Sequence, residues 1–111
     1  MSRFAPLPEP PYYAVIFSSQ MSDDPEGYSE AAEQMVALAE QQPGFLGVES
    51  TRDAEGFGIT ISYWKDEVSI TNWRENLDHT AARQKGRTKW YAHFRLRVAR
   101  VERAYQGPPG T

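Results

Sequence analysis

The 111-residue sequence contains no cysteine. A disulfide framework, a thiolate nucleophile, an iron–sulfur cluster and a cysteine-based zinc site are all excluded by that one absence. Histidine is nearly as scarce, with two residues and no H-x-H, H-E-x-x-H or clustered carboxylate–histidine pattern, so a metal centre has little to be built from. Neither G-x-G-x-x-G nor a Walker motif occurs, which leaves no phosphate loop. No apolar run reaches the ~18 residues of a membrane span, and the N-terminus lacks the roughly 7–15 apolar residues of a secretory signal. The expectation is a cytoplasmic protein without a membrane partner.

What is present suits one folded domain, since domains usually run ~100–150 residues. A hydrophobic fraction of 40% with 13% aromatic residues and a net charge of −3 is enough for a core and far from the composition of a disordered chain. The charge is unevenly spread: residues 1–66 carry 3 Lys/Arg against 11 Asp/Glu, and residues 67–111 carry 9 against 4. That asymmetry raises either a nucleic-acid partner for the basic half or attraction between faces of a subunit or dimer. The basic 83–103 stretch interleaves Lys and Arg with Trp90, Tyr91 and Phe94, as a strand of phosphate-tracking residues would. The sequence pI of about 5.3 and the simple alternation of that stretch argue against nucleic acid and for a polar strand face.

Residues 1–11 hold four of the eight prolines and read as an N-terminal arm, because proline cannot supply N–H groups to a sheet ladder. Residues 106–111 read as a loose tail, leaving 12–105 as the domain. Tyr12 to Ser19 is a β-branched and aromatic run, expected as a strand covered on both faces. Asp24-Pro25 is a helix start, followed by Tyr28, Ala31, Ala32, Met35, Leu38 and Ala39 on one stripe, with Gln42-Pro43-Gly44 as the stop. Phe45–Thr51 and Phe57–Trp64 are expected to pair as a hairpin through Arg52-Asp53-Ala54-Glu55-Gly56. Within the second of these strands, Gly58, Thr60 and Ser62 form a face of small side chains that leaves room above the sheet. Asp66 is placed to cap a second helix through Val68, Ile70, Trp73 and Leu77, and a further helical stretch is expected from about Thr80 to Tyr91. Phe94, Leu96 and Val98 alternate with Arg95 and Arg97 as a last strand, with a bulge expected where the alternation slips at Ala99-Arg100.

The order β-α-β-β-α-β is the ferredoxin-like arrangement, an α+β fold with two helices on one face of an antiparallel sheet. An all-apolar first strand then needs cover on the other face, and a second copy of the chain, a homodimer, supplies it most simply.

Tyr63-Trp64 at a strand end, Trp73 on the next helix, then Asn76-x-x-His79, Gly86-Arg87, Trp90-Tyr91 and the closing FRLRVARVERAY resemble the antibiotic biosynthesis monooxygenase family of dimeric α/β barrels. The resemblance spans roughly Tyr12 to Tyr105. It implies two sheets packed face to face in a homodimer, with a cavity between sheet and helices in each subunit. It further implies one of three activities: cofactor-independent oxidation of polyphenolic or anthrone substrates, haem degradation, or no assigned reaction. Where haem-degrading members have a ligating His, ten residues after the Trp matching Trp73, this chain has Arg83, and on the first strand it has Ser18 or Ser19 in place of an Asn. Where anthrone-oxidising members use a helix Tyr and a late-strand Asn, it has Ile70 and Thr60, while Trp64 matches.

Cofactor-free oxygenation needs an apolar pocket, a base near neutral pKa and donors that stabilise the substrate anion as it reduces O₂. Histidine, with an ordinary pKa of ~6.5, suits the base. His79 is the catalytic candidate, against the alternative of a helix-end histidine bonded to backbone carbonyls, and His93 is expected at a strand end. Trp64, Tyr91, Trp73 and Arg87 are the candidate substrate-binding residues, with Trp64 expected at the cavity mouth and Trp73 packed on the sheet. No metal and no cofactor is expected, and the ligand class is a small hydrophobic or aromatic molecule. A non-catalytic dimeric module binding such a ligand is the alternative to an enzyme.

Overall fold

The computed structural model describes residues 3–23, 28–78 and 91–108, with side chains from 33 onward in the first helix and up to 76 in the second. Its elements are β1 (Tyr12–Met21), α1 (Tyr28–Glu40), β2 (Phe45–Arg52), β3 (Phe57–Trp64), α2 (Glu67–Asp78) and β4 (Tyr91–Val101). The four strands form one sheet in the order β2-β3-β1-β4 with every neighbouring pair antiparallel. This is the expected ferredoxin-like arrangement, with β1 and β3 central.

Local chemistry sets the corners. In the β2–β3 hairpin the Asp53 carboxylate accepts the backbone N–H groups of Glu55 and Phe57 at 2.9 and 3.0 Å, and Gly56 takes φ +90°, a conformation glycine adopts without penalty. Gly44 ends the α1–β2 turn at φ +88°, and a Cβ there would run into the Ser69 hydroxyl. The expected cap of α2 is formed by Asp66, whose carboxylate accepts the Ser69 backbone N–H at 2.8 Å and the Ser69 hydroxyl at 2.6 Å. Those two bonds hold the Asp66 carboxyl below its usual range, because both favour the charged form. The proposed α1 cap at Asp24-Pro25 lies outside the described residues.

Pairing in register fixes which residues share a face. Opposite one another lie Val15, Ser62 and Val48, then Phe17, Thr60 and Ser50, with Val98 and Leu96 on β4. This face carries the helices. Its core joins Val15, Ala39, Trp64 and Ile70, with Tyr13, Phe45 and Trp73 packed against them.

The outer face shows Tyr12, Ala14 and Ile16 on β1 beside Ile59, Ile61 and Tyr63 on β3. Tyr12 and Ala14 are each 4% exposed, so β1 is covered on both faces at this end, as its composition requires. Part of that cover comes from the chain itself. The Ala5 N–H donates to one oxygen of Glu49 at 3.0 Å, the Tyr63 hydroxyl donates to the other at 2.8 Å, and Tyr12 meets Tyr63 edge-on. Gly47 makes room for the arm, since a Cβ there would sit 2.7 Å from that of Ala5. Burial, reinforced by the bond to Glu49 and its negative charge, pushes the Tyr63 phenol above its ordinary range.

Two expectations need correction. Tyr91 opens β4 and is not helical; the rest of the 80–91 stretch lies outside the described residues. The register of β4 against β1 runs unbroken through Ala99 and Arg100, and shifts instead at Gln20/Met21. Val68 is 67% exposed because it lies two residues from Ile70, about 200° around a helix, and so misses the buried stripe.

Candidate functional site

Between the sheet and the helices lies an apolar cavity of ≈ 250 Å³. Thr60 and Ser62 form its floor with Ser50, so the face of small side chains on β3 leaves open space as expected. Had large residues stood at 60 and 62, the helices would have closed on them. Met35, Val36 and Ala39 of α1 and Trp73 of α2 contribute the opposite wall, while Phe45 and the Phe17–Tyr91 pair supply aromatic surface. The rings of Phe17 and Tyr91 stand edge-on, 5.3 Å apart.

Polar groups in this chamber are few and mostly engaged. The Ser50 and Thr60 hydroxyls lie 2.6 Å apart across the strands. Ser62 accepts the Trp64 indole N–H at 2.9 Å. The Trp73 indole nitrogen is buried and has no hydrogen-bond partner among the described residues. No charged side chain among the described residues lines the cavity.

The two tryptophans exchange the places expected of them. Trp64 is fully buried and does not line the cavity; it is core, with Phe45 edge-on at 5.4 Å and the Trp73 ring 5.1 Å away at 31°. Trp73 lines the cavity and rests on Trp64. Strand parity accounts for Trp64: it points to the same face as Thr60 and Ser62, and directly beneath α2. Tyr91 is buried and lines the chamber as its candidacy requires. His79 and Arg87 lie outside the described residues. His93 is exposed and pairs opposite Gln20. Ser19 is buried and receives the Arg52 guanidinium at 2.8 Å, whereas Ser18 receives Arg97 at 2.8 Å. Asn76 joins α2 to the end of α1 by donating to the Gln42 side chain at 3.1 Å.

Ser50 and Met35 belong to the site although neither was singled out for it. Ser50 was legible in principle, because a hairpin places it opposite Thr60, on the same open face.

Fold and chamber together define an α+β ferredoxin-like protein with a small apolar cavity between sheet and helices. The chain belongs to the antibiotic biosynthesis monooxygenase family, whose sequence model matches residues 11–85. It is 55% identical over 103 residues to the uncharacterized protein YqjZ of Bacillus subtilis (strain 168), covering 93% of this chain and 90% of that one. It is also 37% identical over 46 residues to jasmonate monooxygenase ABM of Pyricularia oryzae, covering 41% of this chain and 21% of that protein. The crystal structure of a mutant of SnoaB, a cofactor-independent oxygenase from Streptomyces nogalater, superposes with a TM-score of 0.69 at 14% identity, covering 88% of this chain and 97% of that one. At that identity the likeness is one of fold.

Proposed function

We propose that this protein is a cofactor-independent monooxygenase that oxidises a small aromatic or quinol-like molecule with O₂ in the cavity between its sheet and helices. The observation that carries this reading is the lining of that cavity, an apolar chamber of ≈ 250 Å³ with aromatic walls and a hydroxyl floor in a member of this family. Pockets for drug-sized ligands run ~300–1,000 Å³, so the occupant is small. A substrate with an acidic C–H or O–H loses a proton to a base, and hydroxyl donors stabilise the anion while it gives an electron to O₂. Recombination at carbon and loss of water then turn a CH₂ group and O₂ into C=O and H₂O. His79 is the proposed proton acceptor, Tyr91 the proposed phenolic donor and Arg87 the proposed contact for an anionic group. Trp73 takes the substrate-facing part first assigned to Trp64, which supports it from behind. The oxygen chemistry named for SnoaB and for jasmonate monooxygenase supports this reading.

The proposed assembly is a homodimer joined through the outer face of the sheet. Phe57 and Ile59 are 47% and 37% exposed there, beside Ile16 and Ile61, and a second sheet would cover them.

One observation favours a module that binds without turnover. Among the described residues, Tyr91 is the only titratable side chain lining the cavity, which leaves the base to His79. Oxygen uptake by the purified protein with a panel of anthrones and hydroquinones decides between the two. Uptake above background that falls at least tenfold in His79→Ala supports the enzyme. Background uptake by both proteins, with saturable binding of the same compounds, supports the module.

A further inference from the structure

Strand order and register set four residues in a row across the outer face of the sheet: Glu49 on β2, Ile61 on β3, Ile16 on β1 and Arg97 on β4. The row reads acid, apolar, apolar, base. With strands ~4.8 Å apart, its two charged ends are three spacings, about 14 Å, from one another, too far to pair within a subunit. Each end keeps bonding capacity. The Glu49 carboxylate accepts one bond on each oxygen, from Ala5 and Tyr63, whereas an ionised carboxylate has about four acceptor sites. The Arg97 guanidinium is exposed and donates to the Ser18 hydroxyl at 2.8 Å, with further N–H groups to give.

A second copy laid face to face on this surface has its two-fold axis between the two sheets, and the direction of that axis decides which residues meet. An axis across the strands sets β2 on β2 and β4 on β4, so that acid faces acid and base faces base, each charge losing water without a counter-charge. An axis along the strands, between β3 and β1, leaves height along the strand unchanged and reverses the strand order. The row then faces its own reverse, with the isoleucines meeting in the middle and a carboxylate over a guanidinium at both ends.

We propose that the outer face is self-complementary for a second copy whose two-fold axis runs along the strands, with Glu49 of each subunit paired with Arg97 of the other. The proposal rests on the reading that the sheets associate through this face. It adds the direction of the axis and the residues that fix it. Charge pairs at the rim of an apolar centre select orientation more than they add affinity.

The sequence has no cysteine, so single thiols report the geometry directly. Glu49→Cys and Arg97→Cys proteins, mixed and treated with a short bismaleimide, should give a covalent dimer containing one of each. Either protein alone should stay uncrosslinked, its two thiols lying on opposite sides of the axis. Charge reversal reads the same contact without a thiol. Glu49→Lys and Arg97→Glu should each dimerise about tenfold more weakly than wild type in sedimentation equilibrium. Their one-to-one mixture should form heterodimers above the statistical proportion in native mass spectrometry, because acid then faces base at both ends. No crosslink in the thiol mixture, crosslinking of either thiol protein with itself, or heterodimers at the statistical proportion would overturn the pairing, while a dimeric wild-type mass would leave the outer face as the interface. A wild-type mass of one subunit would overturn the pairing together with the outer-face reading.

Discussion

One sheet presents two unlike faces. The face under the helices combines large aromatic residues at one end with Ser50, Thr60 and Ser62 further along, so its packing is dense around Trp64 and deliberately incomplete beside it. The outer face is closed at the Tyr12 end by tyrosines, Glu49 and the folded-back arm, and is apolar and half-exposed towards Ile59 and Phe57. Side chains alternate along a strand, so the same four strands line an apolar chamber on one side and present the proposed association surface on the other without either constraining the other's side chains. The difference teaches that side-chain size at alternate positions, more than strand order, decides where this fold is solid and where it is open.

The largest expected effect lies on the helix face. Trp64→Ala removes the most fully enclosed aromatic side chain among the described residues and should cost about 3–5 kcal/mol in urea unfolding. A loss below 1 kcal/mol would mean that Trp64 does not anchor this face. On the outer face, Ile61→Arg should leave the subunit folded and turn the proposed dimer into a monomer in sedimentation equilibrium, because an arginine would be buried there without a counter-charge. Unchanged mass would remove the outer face as the interface. The smallest effect is expected for Tyr63→Phe, which gives up the bond to Glu49 and should cost about 1 kcal/mol. The same residue gives a pH signature. Its folded pKa is raised, so its contribution is complete below the unfolded phenol value of about 10 and is lost as pH rises beyond it, when the unfolded chain ionises first. Stability of the Phe variant should fall less steeply above that pH; parallel curves would show that Tyr63 is not the group responsible.

Much of this was legible in the residues. The element order, the Asp53–Gly56 hairpin turn, the Asp66 cap and the open floor at Thr60 and Ser62 all follow from local chemistry or strict alternation. The tryptophans were harder, because a strand-end position suggests a rim, and only the packing of α2 over the strand shows Trp64 to be enclosed. Arg100 misled for a related reason. It points to the same face as Val98 and Leu96 yet reaches solvent, ion-paired at 2.7 Å with Glu102, so the polarity pattern slips while the backbone does not. The arm's return onto β2 has no periodic signal at all. It depends on one glycine and one carboxylate remote in sequence, and only the folded chain brings them together.

Gly47 therefore ties two parts of the chain that share no motif. A side chain there and a folded-back arm cannot occupy the same space, so mutation at one should be tolerated only with change at the other. Homologues that keep the arm in this place should keep glycine at this position, whereas those with a shorter N-terminus are free to vary it. The arm thus carries an evolutionary address, written forty residues downstream in the absence of a single methyl group.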